Sequence, residues 1–391
     1  MGALEAARPD CARFVGGCVR NELLDVVVAD IDIATQLKPE ETIAALKTAG
    51  IRSIPTGIEH GTITAVCDGE PFEITSLRRD VETDGRRAVV AFTEDWNEDA
   101  HRRDFRLNAL YADAEGRVFD PTGGLDDIAA RKVVFIGDAQ TRLREDHLRN
   151  LRFFRFTAWY ADSIDETGLA ACASLKDGLQ QIAAERIWKE LEKLFAAPDP
   201  YATVAAMWQS GVLAVVLPEA RDQSQFLRLK TVEDAGNVQP DGVQRLLTMF
   251  PRDEGIARAV SSRLRMSRAE ADRLKFWAKA ADMPQAEADM KAWLYGLPVQ
   301  TGVDLVLWFW SADPGRKIDW LNALDIARNW ERPVFPLKGA DLLKQGMSPG
   351  RDVGETLKSL ETRWVAAGFK FDGWSDEITN PQIRSAIQSK R

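Results

Sequence analysis

The sequence predicts an α+β protein: a small N-terminal head on a mixed or antiparallel sheet, followed by an all-α remainder. Three observations predict it. Up to about Asp126, short apolar or alternating runs are punctuated by tight-turn residues, as in strands and hairpins. Beyond that point apolar residues recur with a helical period of about 3.6. Prolines, notably Pro198 and Pro200, then separate the helical segments.

In the first part, Phe14-Val15 is an apolar run ending in Gly16-Gly17. Asp30 to Ala34 alternates charged and apolar residues, which reads as a half-buried strand with Asp30 and Asp32 on one face. Gly61 to Cys67 and Pro71 to Leu77 flank Asp68-Gly69, a strong hairpin signal. A second hairpin is expected around Glu115-Gly116. Helices fit Asn21 to Val27 and Pro39 to Ala49. In the second part, Asp138 to Trp159, Ala184 to Ala197 and Tyr201 to Val216 each read as a helix. Asp222 to Asp241 is largely polar and reads as a loop. A helical pattern with Trp-rich apolar faces runs to about Asn329, Pro333 to Lys338 breaks it, and a last helical segment follows.

Composition narrows the class. The 391 residues suffice for two to four domains. Hydrophobic residues make up 45% and charged residues 28%, an ordinary globular balance. No apolar stretch of about 18 residues is present, so no membrane span is expected. The first ten residues lack the apolar core of a signal peptide. Four cysteines without a C-x-x-C pair read as reduced thiols of a cytoplasmic protein. Net charge is −9, yet the 51 Lys and Arg leave room for a local basic face, on which RNA binding depends. No histidine follows His147, which excludes a histidine-based metal hydrolase centre in the C-terminal half. Nothing in the sequence sets an oligomeric state.

Two same-face carboxylates suit magnesium, which prefers carboxylate oxygens completed by substrate phosphates. A D-x-D by itself is weak evidence, since chance matches are common, and a solvated strand face is its alternative. Upstream, Gly16-Gly17 forms a turn between strand and helix where backbone N–H groups can approach phosphate oxygens, and Arg20 is near enough to join them. Downstream, Glu73 on the hairpin strand is the candidate for a third carboxylate.

Taken together, these motifs resemble the nucleotidyltransferase superfamily, and within it the class II CCA-adding enzymes and bacterial poly(A) polymerases. Phe14-Val15-Gly16-Gly17-Cys18-Val19-Arg20 resembles the opening motif, and Asp30 to Thr35 the metal motif. Arg102-Arg103-Asp104-Phe105-Arg106-Leu107-Asn108-Ala109 resembles the sugar-recognition motif. Asp120-Pro121 with Gly123-Gly124 resembles the head-to-neck junction. Glu145-Asp146-His147-Leu148-Arg149, continuing to Arg152 and Arg155, resembles the nucleotide template. The motifs stand in family order over about residues 12 to 200. Asn21 replaces a usual Asp, Asp25 a usual Gly, and Arg106 a usual small polar residue.

The resemblance implies nucleotidyl transfer to the 3′ end of tRNA from CTP and ATP, with Asp30 and Asp32 holding Mg2+. Gly16, Gly17 and Arg20 would cradle the triphosphate, and Arg102 and Arg103 add positive charge. Asp104 and Asn108 would bind the ribose. Asp146 and Arg149, read as lying on one helical face, would accept from the amino group of C or A and donate to the adjacent ring nitrogen. Arg152 and Arg155 would extend toward the nucleotide; pairing with acids is their alternative. The implied division is a catalytic head over 1–128, a neck with the template over 129–200, a body over 201–330 and a tRNA-binding tail over 331–391.

Three activities share this framework: complete CCA addition, partial CC or A addition, and polyadenylation. Pro55 to Thr64 resembles the stretch usual in CCA enzymes. The acidic segment between Arg78 and Asp99 (Asp80, Glu82, Asp84, Gly85) resembles the mobile loop that switches the family to ATP; an ordinary hairpin is its alternative. Lys338 to Leu343 and Pro349 to Gly354 resemble the tail. A silent RNA-binding module and a small-molecule nucleotidyltransferase are the readings of another class. The intact carboxylate pair argues against the first, and the template motif with its large helical body against the second.

Overall fold

Asp68 and Gly69 both take positive φ, 53° and 87°, the geometry of the tightest hairpin turn. They join two strands of a sheet that organises the N-terminal half. A computed structural model describes residues 1–84, 87–286, 289–371 and 381–388. The strands are β1 (Ala12–Val15), β2 (Asp32–Thr35), β3 (Arg52–Gly57), β4 (Thr62–Cys67), β5 (Glu70–Ser76), β6 (Arg78–Asp84), β7 (Arg87–Phe92), β8 (Tyr111–Ala112) and β9 (Val118–Phe119). Seven of them form one sheet in the order β3-β4-β5-β2-β1-β8-β9. Among the described strands β2 and β5 run parallel and the other pairs antiparallel, so the sheet is mixed, as expected. The second expected hairpin joins β8 and β9 through Gly116, φ +81°.

Helices cover the head and extend from it: α1 (Gly2–Ala7), α2 (Gly17–Leu23), α3 (Pro39–Thr48), α4 (Trp96–His101), α5 (Gly124–Ala129), α6 (Ala139–Glu145), α7 (Leu148–Tyr160), α8 (Glu166–Ser174), α9 (Ala184–Phe195), α10 (Tyr201–Gln209) and α11 (Val212–Val216). Ile33 and Ile74, partners across β2 and β5, bury into one core with Leu4 and Leu46. Ala34 points into a second core with Val15, Trp96 and Tyr111. An aromatic cluster fixes α7 against the head. Phe105 meets Phe135 at 4.8 Å and Phe156 at 5.5 Å, and Phe135 stacks on Phe153 at 5.4 Å. Such ring pairs add to the area they bury.

The chain divides into two compact units, 1–221 with 240–243 and 222–239 with 244–391. The second unit is helical among its described residues. Its core holds a buried ion pair, Arg245 to Glu233 at 2.7 Å, and a second, Arg273 to Asp304 at 2.7 Å. Helices Val299–Ala312 and Trp320–Asn329 bring Trp310 and Trp320 into a parallel stack, centroids 5.9 Å apart. Among the described residues, no helix is long and apolar enough to cross a membrane.

Several expected elements are corrected. Asp222 to Asp241 is not a loop: Ser224–Gly236 is helical, because Phe226, Leu229 and Val232 recur on one buried face within a polar segment. The helix expected over Asn21 to Val27 is Gly17–Leu23 instead, ending before Asp25, whose φ of +54° a helix does not allow. That conformation also explains the usual Gly at this position, since only Gly, Asn and Asp adopt it cheaply. Asp138 to Trp159 is two helices, broken at Asp146, and Tyr201 to Val216 is two, broken at Gly211 with φ +75°. The segment after Arg78 pairs β6 with β7 in a separate two-stranded sheet, a form compatible with either role expected of it; Gly85 lies outside the described residues.

Candidate active site

The strand β1 ends at Val15, and Gly16 turns the chain into α2 with φ +72°. Arg20, in the last turn of that short helix, is only 6% exposed. Its Nη1 donates to Asn108 Oδ1 at 2.5 Å and its Nη2 to Tyr160 Oη at 2.9 Å. Asn21 Oδ1 accepts from Arg20 Nε and Nη2 at 3.1 and 2.8 Å, so Asn21 does here what the usual Asp would do without its charge. The guanidinium also lies 4.0 Å over the Tyr160 ring. Among the described residues no carboxylate hydrogen-bonds to it, and burial pulls its pKa below the ordinary arginine value. A buried cation that no described carboxylate hydrogen-bonds is receptive to a phosphate.

Asp32 opens β2 and stands in register with Glu73 on the parallel strand β5. Asp30 precedes the strand and is exposed, so the expected same-strand pair holds only from Asp32 onward. The third carboxylate is thus supplied by a neighbouring strand. Burial, then the charges of Glu73 and Asp30, push the Asp32 carboxyl above its usual value, with Arg103 opposing. Among the described residues no ion pair engages Asp30, Asp32 or Glu73; Arg103 acts on Asp32 only through its charge. Among the described residues no three His, Cys, Asp or Glu side chains are grouped as a metal cluster.

Arg102 and Arg103 follow α4, and both reach back to Asp99, which the sequence analysis did not single out. Arg102 Nη2 is 2.6 Å from Asp99 Oδ1 and Arg103 Nη2 is 3.0 Å from Oδ2. Spacings of i, i+3 and i+4 around a helix end were the available signal. Asp104 Oδ1 accepts from the Phe105 N–H at 2.9 Å and from Asn108 Nδ2 at 3.2 Å, and its Oδ2 accepts from Arg152 Nε at 2.7 Å. Burial pushes the Asp104 carboxyl up, but Arg152 and these donors outweigh it and hold it low. Arg20, Asn108, Asp104 and Arg152 therefore form one continuous network. Arg106, a departure from the family pattern, lies 3.2 Å from Asp127 of α5.

The junction motif has a structural explanation. Asp120 Oδ1 accepts from the N–H groups of Gly123 and Gly124, and Oδ2 from that of Leu125, all at 2.9 Å, capping α5.

The template residues are arranged differently from the expectation. Asp146 is not on the helix with Arg149: it is extended (φ −148°) between α6 and α7, and its Oδ1 accepts from the Leu148 N–H at 3.0 Å. The competing local bond, a carboxylate capping the next helix, outweighs helix continuation. Asp146 also pairs with Arg186 of α9 at 3.1 Å. Arg149 pairs with Glu145 and donates to the carbonyls of Arg142 and Arg102, each at 3.0 Å. Arg155 pairs with Glu190 at 2.6 Å, the acid-paired alternative. Tyr160, Arg186 and Glu190 were not legible as partners, because each is distant in sequence from the group it holds.

A mixed sheet that brings a strand carboxylate pair, a glycine turn and a buried arginine held by neutral partners into one head is the layout of a nucleotidyltransferase. Residues 12–134 match the family described as the poly A polymerase head domain, and residues 163–223 one described as a probable RNA and SrmB-binding site of polymerase A. Mouse CCA tRNA nucleotidyltransferase 1, mitochondrial, is 33% identical over 383 residues, 94% of this chain and 85% of its own length. A Streptococcus pyogenes CCA-adding enzyme is 39% identical over 213 residues, 54% of this chain and 50% of its own. The chain belongs to the CCA tRNA nucleotidyltransferase family. Its fold is also that of the Bacillus stearothermophilus CCA-adding enzyme in complex with CTP, with a TM-score of 0.71 at 24% identity over 100% of this chain and 96% of that one. The Thermotoga maritima CCA-adding enzyme complexed with tRNA gives 0.68 at 18% identity, over 100% and 94%.

Proposed function

We propose that this chain adds the 3′-terminal CCA to tRNA from CTP and ATP without a nucleic-acid template, releasing pyrophosphate. The observation that carries the reading is the placement of Asp32 in register with Glu73, with Asp30 adding to the negative charge around it, in a chain of this family. The bacterial relatives are named CCA-adding enzymes, and solved structures of that fold carry CTP, ATP and tRNA in their descriptions.

Asp30 and Asp32 would hold Mg2+, with Glu73 beside them. When bound, magnesium supplies the positive charge that acidifies the RNA 3′-hydroxyl and neutralises the triphosphate and departing pyrophosphate. The protein's own work is positioning, since phosphoryl-type transfer asks little covalent chemistry of it. Gly16, Gly17, Arg20, Arg102 and Arg103 face the triphosphate. Asp104 and Asn108 take the ribose, whose hydroxyl competes with Arg152 for Asp104 Oδ2; the released Arg152, with Arg155 behind it, turns to the nucleotide.

Asp146 and Arg149 read the base edge. Cytosine and adenine both present an amino donor next to a ring-nitrogen acceptor, so one carboxylate and one guanidinium satisfy either. Guanine and uracil reverse this polarity and leave both charged groups unpaired, which costs roughly 1–3 kcal/mol or more for each. Reading requires Asp146 to exchange Arg186, and Arg149 to exchange Glu145, for the base. The division into head (1–128), neck (129–200), body (201–330) and tRNA-binding tail (331–391) belongs to this proposal. So does a cytoplasmic location, supported by the four free cysteines; the mouse relative is named as mitochondrial.

The test is to incubate the protein with tRNA ending before CCA and with labelled CTP and ATP. The expected product carries C, C and A in that order. A long A tail would indicate polyadenylation, a halt after CC partial addition, and no incorporation of either nucleotide would sink the proposal.

A further inference from the structure

The Asp99 carboxylate accepts more hydrogen bonds than either oxygen needs for its own satisfaction. Oδ1 accepts from the Arg78 N–H at 3.2 Å, from Arg102 Nε at 2.9 Å and from Arg102 Nη2 at 2.6 Å. Oδ2 accepts from Arg103 Nε at 3.2 Å, Arg103 Nη2 at 3.0 Å and Tyr111 Oη at 2.7 Å. The side chain is 1% exposed. Each donor leads to a different part of the site. Arg78 is the first residue of β6, the root of the β6–β7 hairpin. Arg103 Nη1 comes within 3.6 Å of where a Cβ on Gly16 would stand, at the glycine turn. The Arg102 carbonyl accepts from Arg149 Nη2, the template arginine, at 3.0 Å.

We propose that Asp99 is the positioning residue of the nucleotide site: it clamps Arg102 and Arg103 in the orientation that meets the triphosphate and ties both to the root of the hairpin. The inference rests on the reading of Arg102 and Arg103 as nucleotide-facing. One carboxylate against two guanidiniums leaves one net positive charge on the cluster, directed toward the turn. Burial pushes the Asp99 carboxyl up, but Arg103, Arg102 and Tyr111 outweigh it and hold it down at about 2, so the clamp is ionised throughout the working range. Asp99 acts through the arginines, to which both its oxygens are bonded.

The variant Asp99→Asn keeps the shape and removes the charge. With tRNA lacking CCA, KM for both CTP and ATP should rise about tenfold or more, with kcat within about threefold and tRNA affinity unchanged. In an Arg103→Ala background the same substitution should add little to the KM effect, because its route is already cut. An unchanged KM in folded Asp99→Asn, a fall in kcat alone, or full additivity with Arg103→Ala would each overturn the proposal. If Asp99→Asn does not fold, Asp99→Glu keeps the charge and displaces both guanidiniums by one methylene; a folded Asp99→Glu with wild-type KM would overturn it equally. Inactivity of the wild-type protein toward both nucleotides would instead strike the proposed function.

Discussion

Arg152 and Asp104 are joined by a hydrogen bond of 2.7 Å between Nε and Oδ2, which links helix α7 to the ribose motif of the head. Arg152→Ala removes the main countercharge of a buried carboxylate. A charged hydrogen bond is worth about 1.5–3 kcal/mol, so the variant should lose about that much in urea unfolding and should bind CTP and ATP more weakly. Unchanged stability would show that the pair is too wet to matter.

Burial first, and then the charges of Glu73 and Asp30, disfavour the ionised form of Asp32 and raise its pKa, with Arg103 opposing. A folded-state pKa above the unfolded one gives stability that is present below the unfolded value and lost as pH rises through the folded value. At neutral pH the full penalty therefore applies. Asp32→Asn should raise the Tm of the metal-free protein at pH 7, by the equivalent of roughly 0.5–2 kcal/mol, with the gain shrinking toward pH 4. It should abolish incorporation of both nucleotides while tRNA binding persists. Asp30→Ala should do the same to activity, and Glu73→Ala should be milder. Added Mg2+ should raise the wild-type Tm and not that of Asp32→Asn.

Gly124 leaves no room for a side chain: a Cβ there would stand 2.3 Å from the Arg106 carbonyl oxygen. Gly124→Ala should destabilise by about 2–3 kcal/mol or more in denaturant unfolding. Gly354, inside the helix Arg351–Ala366, has nothing within 4 Å of its would-be Cβ. Gly354→Ala should be neutral or stabilise by roughly 0.5–1 kcal/mol.

Arg149→Ala should lower single-turnover addition of C and A by about ten- to a hundredfold, the worth of one charged hydrogen bond. Misincorporation of U and G should fall less, since the clash with the guanidinium is gone. A proportional loss for all four nucleotides would reduce Arg149 to the contacts it makes with Glu145 and the Arg102 carbonyl.

Removing part of Val81 to Arg87 shortens the β6–β7 hairpin without touching the seven-stranded sheet. Addition of CC should persist and addition of the terminal A should drop, read from product lengths on a sequencing gel. Equal loss of both nucleotides would remove the switching role from the hairpin.

The sequence by itself determined what depends on neighbours along the chain. Asp68-Gly69 specifies its turn through two positive φ values, and that turn fixes the register of β4 against β5. The period change after Asp126 separates sheet from helix, and the motif order points to the family. Tertiary structure alone decided the partners. Glu73 meets Asp32 because β5 lies parallel to β2, a pairing set by the shared burial of Ile33 and Ile74 and by no local signal. Asp146 left the helix because its carboxylate caps α7 and meets Arg186, and Asp99 gathered Arg102, Arg103 and Tyr111 because α4 turns it inward. Charged side chains choose among partners by distance and burial, and these exist only once the sheet and α7 have packed together.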